Sequence, residues 1–325
     1  MNTHKVILIL SVLFFSVIFS SCDKETNISN YDLVSQYELD KAIVQTNTTN
    51  VATGLNYIFN TMIDDSTGRA HLSQAFVNEA LFFNDESGYF FIETVDDAWV
   101  VAHVNPDLIG TCRINIQDIY GKFFIQELVS TVKYIGYGFV EYYRKNPANS
   151  ETERKLSFVT GIPSAELFIG TGFYGDLPEI YYDKLEANKI ITETITKTVA
   201  KGIGGVLSNI YSDSLQGVEF CRNFIRHIRF FDDQSGYFFI YDFRAYNVAH
   251  ATQPNLQGQN LYDYQDTHGN YVIRDLIQVV KDNNSGFSEY YWNNPTTSKE
   301  EKKISFVIKI PGIDYFIGSG VYLND

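Results

Sequence analysis

The sequence predicts an α+β chain made of two copies of one unit, and three observations carry that expectation. A set of motifs recurs at an offset of 148 residues, each copy opens on helical periodicity, and each closes on short aromatic and β-branched runs punctuated by Gly, Pro, Asn and Asp. Gly88-Tyr89-Phe90-Phe91-Ile92 returns as Gly236-Tyr237-Phe238-Phe239-Ile240, and Glu141-Tyr142-Tyr143 returns as Glu289-Tyr290-Tyr291. Ser157-Phe158-Val159 returns as Ser305-Phe306-Val307. The closing Phe168-Ile169-Gly170, with Gly172 and Tyr174, returns as Phe316-Ile317-Gly318 with Gly320 and Tyr322. His103 and His250 are separated by 147, and the register is restored at Pro106 and Pro254.

The helices come first in each unit. In the first they are expected over about 31–63 and 69–83. In the second, Pro178 stands where a first-turn proline belongs, and Ile180, Leu185, Ile191, Ile195, Val199, Ile203, Val206 and Ile210 recur at near-helical steps. Gly202, Gly204 and Gly205 weaken that helix, so a bend is expected there. A shorter helix follows, with Val218, Phe224, Ile225 and Ile228 as its apolar face. The strands of the first unit are expected over 88–94, 98–103, 138–144, 155–162 and 167–174, forming an antiparallel sheet. The units run over 31–177 and 178–325, each near the usual domain size and each expected to fold with its own core.

Ahead of the first unit, Lys5 precedes an apolar run from residue 6 to residue 19, broken only by Ser11 and Ser16. Such a run is short for a membrane span, which needs about 20 residues, but suits the hydrophobic region of a cleavable signal peptide. Ser20-Ser21-Cys22 then resembles a bacterial lipobox, although Phe19 stands where an aliphatic residue is usual. The expectation is a signal peptide over 1–21, lipidation at Cys22, a short tether over 22–30, and attachment to a membrane through the lipid.

A formal net charge of −14 over 325 residues, with no basic stripe, disfavours nucleic acid as a partner. Cys112 and Cys221 fall at non-equivalent points of the repeat, which disfavours a bridge between them. No CxxC or His/Cys spacing points to a metal, no Ser, Cys or Thr stands in a nucleophile motif, and no cofactor fingerprint is present. A non-enzymatic protein without metal or cofactor is expected.

In each copy the motifs extend into an ordered series. The first supplies His103, Pro106, Leu108, Gly110, Asp118, Gly121, Gly138, Tyr142, Pro147, Lys155 and Tyr174. The second supplies His250, Pro254, Leu256, Gly258, Asp266, Gly269, Gly286, Tyr290, Pro295, Lys303 and Tyr322. Both copies thereby resemble the Cache family, specifically the single-Cache type found outside bacterial membranes in chemoreceptors and sensor kinases. Two departures stand out. Two or three residues separate the His from the Pro, which are usually adjacent, and Arg144 replaces the Trp retained as Trp292.

The resemblance implies tandem PAS-like domains, each with a long N-terminal helix, a central antiparallel sheet and a pocket for a small organic acid or amino acid. It places Tyr89, Phe91, His103, Tyr142 and Lys155 at the first pocket, and Tyr237, Phe239, His250, Tyr290, Trp292 and Lys303 at the second. The residue types suit that chemistry independently: a buried carboxylate needs charge-assisted donors, and Lys, His and Tyr supply them against apolar walls. Read singly, the aromatics suit a strand core equally, each lysine suits the surface, and His103 suits a loop-stabilising role; Arg113 and Arg144 are the next donors should the lysines fail. The function expected is ligand capture or sensing at the bacterial cell envelope, facing the periplasm or exterior. A separate sensor kinase, chemoreceptor or transporter would read the ligand. The alternative is an envelope scaffold whose units no longer bind.

Overall fold

The computed structural model describes residues 33–211 and 214–323; the expected leader over 1–21, Cys22 and the tether over 22–30 lie outside the described residues. The first unit runs β1 (Leu33–Ser35), α1 (Gln36–Thr61), α2 (Ser66–Glu79), β2 (Phe91–Thr94), β3 (Val100–His103), α3 (Phe124–Ile135), β4 (Tyr137–Lys145), β5 (Thr152–Ile162) and β6 (Leu167–Tyr174). The second repeats it as β7 (Tyr181–Asp183), α4 (Lys184–Asn209), α5 (Ser214–Ile225), β8 (Phe239–Asp242), β9 (Asn247–His250), α6 (Val272–Asn283), β10 (Ser285–Asn293), β11 (Glu300–Lys309) and β12 (Tyr315–Tyr322). The α+β class is as the sequence predicts.

The long helices begin where side chains cap them. Ser35 accepts from the Glu38 N–H at 3.2 Å, and Asp183 accepts from the Glu186 N–H at 2.8 Å. Pro178 therefore lies outside α4, separated from it by β7, which corrects its assignment to the first turn. Two helices, α3 and α6, fall where the sequence reading placed no element. Their buried Phe124, Ile125, Leu128, Val129 and Val132, and Val272, Ile273, Leu276, Ile277 and Val280, keep helical spacing.

Each unit has a five-stranded antiparallel sheet, in the orders β3-β2-β6-β5-β4 and β9-β8-β12-β11-β10. Alternation divides the side chains of each strand between two faces. In the first unit Leu156, Phe158, Ile169 and Phe173 join the core against α1, whereas Val159, Phe168 and Tyr174 pack on the opposite side with Phe124 and Leu128 of α3. The sheet is thus covered twice, and the second covering encloses the site.

The units are related by a local two-fold arrangement. In the β1–β7 ladder Val34 faces Tyr182, its own counterpart at offset 148, while Leu33 faces Asp183 and Ser35 faces Tyr181. The helices repeat the reciprocity: α2 packs on α4, and α5 packs on α1. A Cβ at Gly54 would stand 2.7 Å from the Phe224 ring, and one at Gly202 would stand 2.3 Å from the Phe76 ring. Phe76 and Phe224, themselves counterparts, stack with centroids 5.3 Å apart. Such reciprocity is the signature of an isologous interface, here formed within one chain. Gly202, Gly204 and Gly205 lie inside an uninterrupted α4, where they admit the Phe76 ring, the Pro311 carbonyl and the Ala75 carbonyl. The expectation of a separate core for each unit is corrected accordingly: one apolar cluster runs through both, including Val51, Phe76, Ile203 and Phe224. Cys112 is exposed and Cys221 buried, and both are free thiols.

Two outcomes follow from this packing. Gly202→Ala should destabilise the protein by about 1–3 kcal/mol through overpacking against Phe76. At an open helical site the same change would gain up to ~1 kcal/mol, so the sign of the shift in urea-induced unfolding is decisive. A fragment of residues 178–325 should elute as a dimer in size-exclusion chromatography with light scattering, since Gly202 and Phe224 of two copies can reproduce the internal contact. A stable monomer would show that the shared core is dispensable.

Candidate functional site

The site in each unit is built on the sheet face that carries the two strand glycines. Register places Tyr142 opposite Lys155 and Lys155 opposite Tyr174; one row further, Ser157 faces Gly172, and Val159, Gly170, Phe91 and His103 follow one another across the sheet. The second unit repeats the rows as Tyr290-Lys303-Tyr322, Ser305-Gly320 and Val307-Gly318-Phe239-His250. The glycines hollow the floor. A Cβ at Gly318 would lie 2.4 Å from the Phe239 ring, and one at Gly320 would lie 2.4 Å from Ser305 Oγ and 2.8 Å from the Lys303 side chain. All eleven residues nominated from the sequence lie buried on this face, with α3 or α6 over it.

The lysines are the central feature. Lys155 and Lys303 are both 0% exposed, so neither occupies the surface position the sequence left open. Lys155 Nζ donates to Tyr174 Oη at 3.0 Å and lies 4.0 Å over the Tyr89 ring. Lys303 Nζ has no hydrogen-bond partner among the described residues; it lies 3.8 Å over the Tyr237 ring and 4.8 Å over the Tyr322 ring. Burial drives both ammonium pKa values down, Lys303 especially, where desolvation acts unopposed. Ring faces offset part of that cost, but a buried cation without an anion remains costly.

The tyrosines are committed to the protein. Tyr174 donates to the Lys145 carbonyl at 3.3 Å, so Tyr89, 3.2 Å from Tyr174, is the donor of that pair. Tyr322 and Tyr237 repeat this, with the Asn293 carbonyl at 2.8 Å and the phenol oxygens 3.1 Å apart. Tyr142 bonds Ser157 at 3.0 Å, and Tyr290 bonds Ser305 at 2.8 Å. These phenols hold the lysine rows in place; as free donors to a ligand they are less suited than the sequence expectation had Tyr142 and Tyr290.

The histidines take one tautomer. His103 Nδ1 accepts from the Asn105 N–H at 2.9 Å, and His250 Nδ1 accepts from the Gln253 N–H at 3.1 Å. Burial, with neighbouring cations, pushes both pKa values down to about 3. Each is a neutral imidazole whose proton sits on Nε2. Gln253 also receives the Trp292 Nε1 proton at 3.0 Å, joining that indole to the histidine loop. The aspartates of the series are loop staples: Asp118 accepts from the Tyr120, Lys122 and Tyr143 N–H groups, and Asp266 from those of His268, Asn270 and Tyr291.

Several site residues escaped the sequence nomination. Tyr174 and Tyr322 alternate with the strand glycines and so share the pocket face, a signal already present in the closing motif. Glu93, also outside that nomination, forms a buried ion pair at 2.9 Å with Arg113, which the sequence held in reserve as a donor. Burial raises the Glu93 pKa to about 7 against the opposing pull of Arg113. In the second unit a small cavity of about 10 Å³, room for about one water molecule, is lined by Tyr237, Phe239, His250, Tyr290 and Trp292 among others.

Comparison with known proteins finds relatives for both units. Residues 71–185 match the family described as Single Cache domain 2, and residues 218–325 match the one described as Cache domain. A sensor histidine kinase, MctS of Rhizobium johnstonii, is 37% identical over 92 residues, 28% of this chain and 20% of its own. The methyl-accepting chemotaxis protein McpP of Pseudomonas putida is 29% identical over 101 residues, 31% of this chain and 18% of its own. The chain thus spans about a fifth of the length of the curated relatives it matches. A solved structure titled for carboxylic acid recognition by a Cache chemosensory domain is 27% identical, covering 40% of this chain and 91% of its own at a TM-score of 0.34.

The histidines set a pH dependence. An unfolded histidine binds a proton near pH 6.5, whereas buried His103 and His250 resist it down to about 3. The unfolded state therefore holds more protons across that window, and stability falls as pH drops, by about 1.4 kcal/mol per unit per histidine at the limit. Glu93 acts oppositely: its raised pKa favours the fold at low pH and loses that contribution as pH rises through about 7. Burial and the Lys303 and Arg229 charges all act on His250 in the same direction, so it gives the cleaner test. His250→Gln should remove roughly half of the histidine-linked slope in urea unfolding between pH 6.5 and 4. An unchanged slope would mean that His250 is protonated in the native state.

Proposed function

Because the chain belongs to the Cache family, with one domain matched over residues 71–185 and another over 218–325, we propose that it binds small carboxylate metabolites or amino acids outside the cytoplasm. It would do so from a lipid anchor at Cys22, without catalysis, and hand the signal or the solute to a separate sensor kinase, chemoreceptor or transporter. Cache domains are homologous to the sensor domains of chemoreceptors and histidine kinases, and MctS and McpP are relatives of those two kinds. Among the described residues no helix is long and apolar enough to cross a membrane.

The observation that carries this function is the Lys303 ammonium: fully buried, ringed by aromatics and without a hydrogen-bond partner. A purely structural side chain at that position gains nothing from being an amine. A carboxylate bound beside it would restore the desolvated charge, each charge-assisted bond contributing on the order of 1.5–3 kcal/mol. His250, a neutral donor through Nε2, and the Trp292 ring complete a polar end and an apolar wall. Lys155 offers the same chemistry in the first unit, with one proton already engaged by Tyr174.

Lysine and methionine have similar bulk, so Lys303→Met separates charge from packing. Without ligand the variant should be more stable than the parent, by roughly 1–4 kcal/mol, because a desolvated charge is removed. It should also lose the rise in melting temperature that small carboxylates give the parent at the second pocket. Lys155→Met should act likewise at the first. A scan of organic acids and amino acids by differential scanning fluorimetry, with calorimetry on the hits, reads both effects. Full affinity in both single variants and the double variant would remove the lysines from ligand binding. No shift from any acid or amino acid would favour the envelope scaffold.

A further inference from the structure

Three pocket positions differ in charge between the otherwise matching units. At offset 148, Glu93, Arg113 and Arg144 of the first unit are replaced by Tyr241, Leu261 and Trp292 of the second. The backbone confirms the match for the least regular of the three: the Arg113 N–H donates to the Ala98 carbonyl at 3.0 Å, and the Leu261 N–H to the Ala245 carbonyl at 2.9 Å. The Tyr, Phe, His and Lys residues of the site are retained in both units. The difference is therefore confined to charge on a common frame.

In the first unit Arg113 is engaged by Glu93, which leaves Lys155 and Arg144 without an acidic partner among the described residues. Arg144 has no hydrogen bond or ion pair among the described residues, and its guanidinium lies 5.9 Å over the Phe124 ring. That ring stacks on Tyr142 at 4.2 Å, and Tyr142 is the cross-strand neighbour of Lys155. Arg144, two residues along β4 on the same face, is thus a diagonal neighbour of Lys155, about 7–8 Å away between backbones. Arg144 is also among the charges that act on Lys155, Tyr89 and His103, so its guanidinium stands near the lysine row. In the second unit Trp292 occupies the Arg144 position and stacks with His250 at 6.1 Å. Among the described residues Lys303 is then the cation without an acidic or hydrogen-bonding partner on this face. Nearby Arg229 is spent on the carbonyls of Arg226, Ile228 and Ala251.

Resting on the carboxylate function proposed above, we infer that the two pockets take different classes of acid. The first selects a dicarboxylate, held between Lys155 and Arg144; the second selects a short monocarboxylate whose apolar end meets Trp292. A second carboxylate in the second pocket would be buried without a counter-charge, and a monocarboxylate in the first would leave Arg144 uncompensated. Specificity is set as much by these mismatches as by the matched pairs.

Isothermal calorimetry on the full chain with succinate and propionate tests the assignment. Each acid should bind at a stoichiometry of one. Lys155→Met should weaken succinate alone, and Lys303→Met propionate alone, each on the order of tenfold to a hundredfold. Arg144→Trp should weaken succinate by a similar factor while propionate at the second pocket is unchanged, its melting temperature showing that it folds. Trp292→Arg should create a second succinate site. Two sites for each acid, or loss of succinate binding on Lys303→Met, would overturn the division while leaving carboxylate binding intact. If neither these nor any other carboxylate binds the parent, the carboxylate function falls, and this division with it.

Discussion

An ammonium taken out of water is the constraint around which each unit is organised. Lys155 and Lys303 sit on β5 and β11, central strands of their sheets, with no carboxylate bonded to either. The surrounding residues are placed to make that tolerable. Tyr89 and Tyr237 present ring faces at 4.0 and 3.8 Å, and their phenols are pinned through Tyr174 and Tyr322 to strand carbonyls. Gly320 leaves room for the Lys303 stem and for Ser305 beside it, and Gly172 for Ser157. The histidines stay neutral because a backbone N–H occupies Nδ1 and the burial that depresses the lysines depresses them too. Polar chemistry, sheet register and glycine placement therefore express one requirement: to hold a lysine head among aromatic rings.

That hollow depends in turn on the other face of the sheet. α1 and α4 back the two sheets, and they also pack on each other's partners through α2 and α5. The same helices thus support both pockets and join the units, which places the two sites on one continuous core. Strain at one sheet has a packed route to the other, along helices whose contacts are close enough that Gly54 and Gly202 have no room for a methyl group.

Much of this was legible in the sequence, and the parts that were not have physical reasons. The repeat and the strand motifs carried the α+β class, and the residues that the family resemblance nominated share one sheet face because motif positions alternate with period two. Tyr174 is legible in the same way, since it alternates with Gly170 and Gly172 of the closing motif and so shares their sheet face. The helices α3 and α6 carried a clear apolar stripe, yet lay among loop residues such as Asp118, Gly121 and Gly136, whose turn chemistry dominates a local reading. The packing of Phe76 against Gly202 was not legible at all: each residue looks ordinary in its own helix, and only the meeting of the two units gives the glycine a purpose. The same holds for the bend expected at the α4 glycines. Helix propensity alone anticipates weakness, while tertiary contact turns those positions into points of closest approach.

The reciprocal ladder centred on Val34 and Tyr182 has a consequence for how such a molecule can change over time. In an assembly of two identical chains, every substitution in a pocket appears twice, so both pockets must drift together. Once the two halves share one polypeptide, the symmetric framework can be kept while each half accumulates its own differences. Phe76 and Phe224, Gly54 and Gly202, and the lysine rows have stayed paired, whereas Arg144 and Trp292 have parted. Covalent linkage uncouples the sequences of two pocket faces that remain mechanically joined through one shared core.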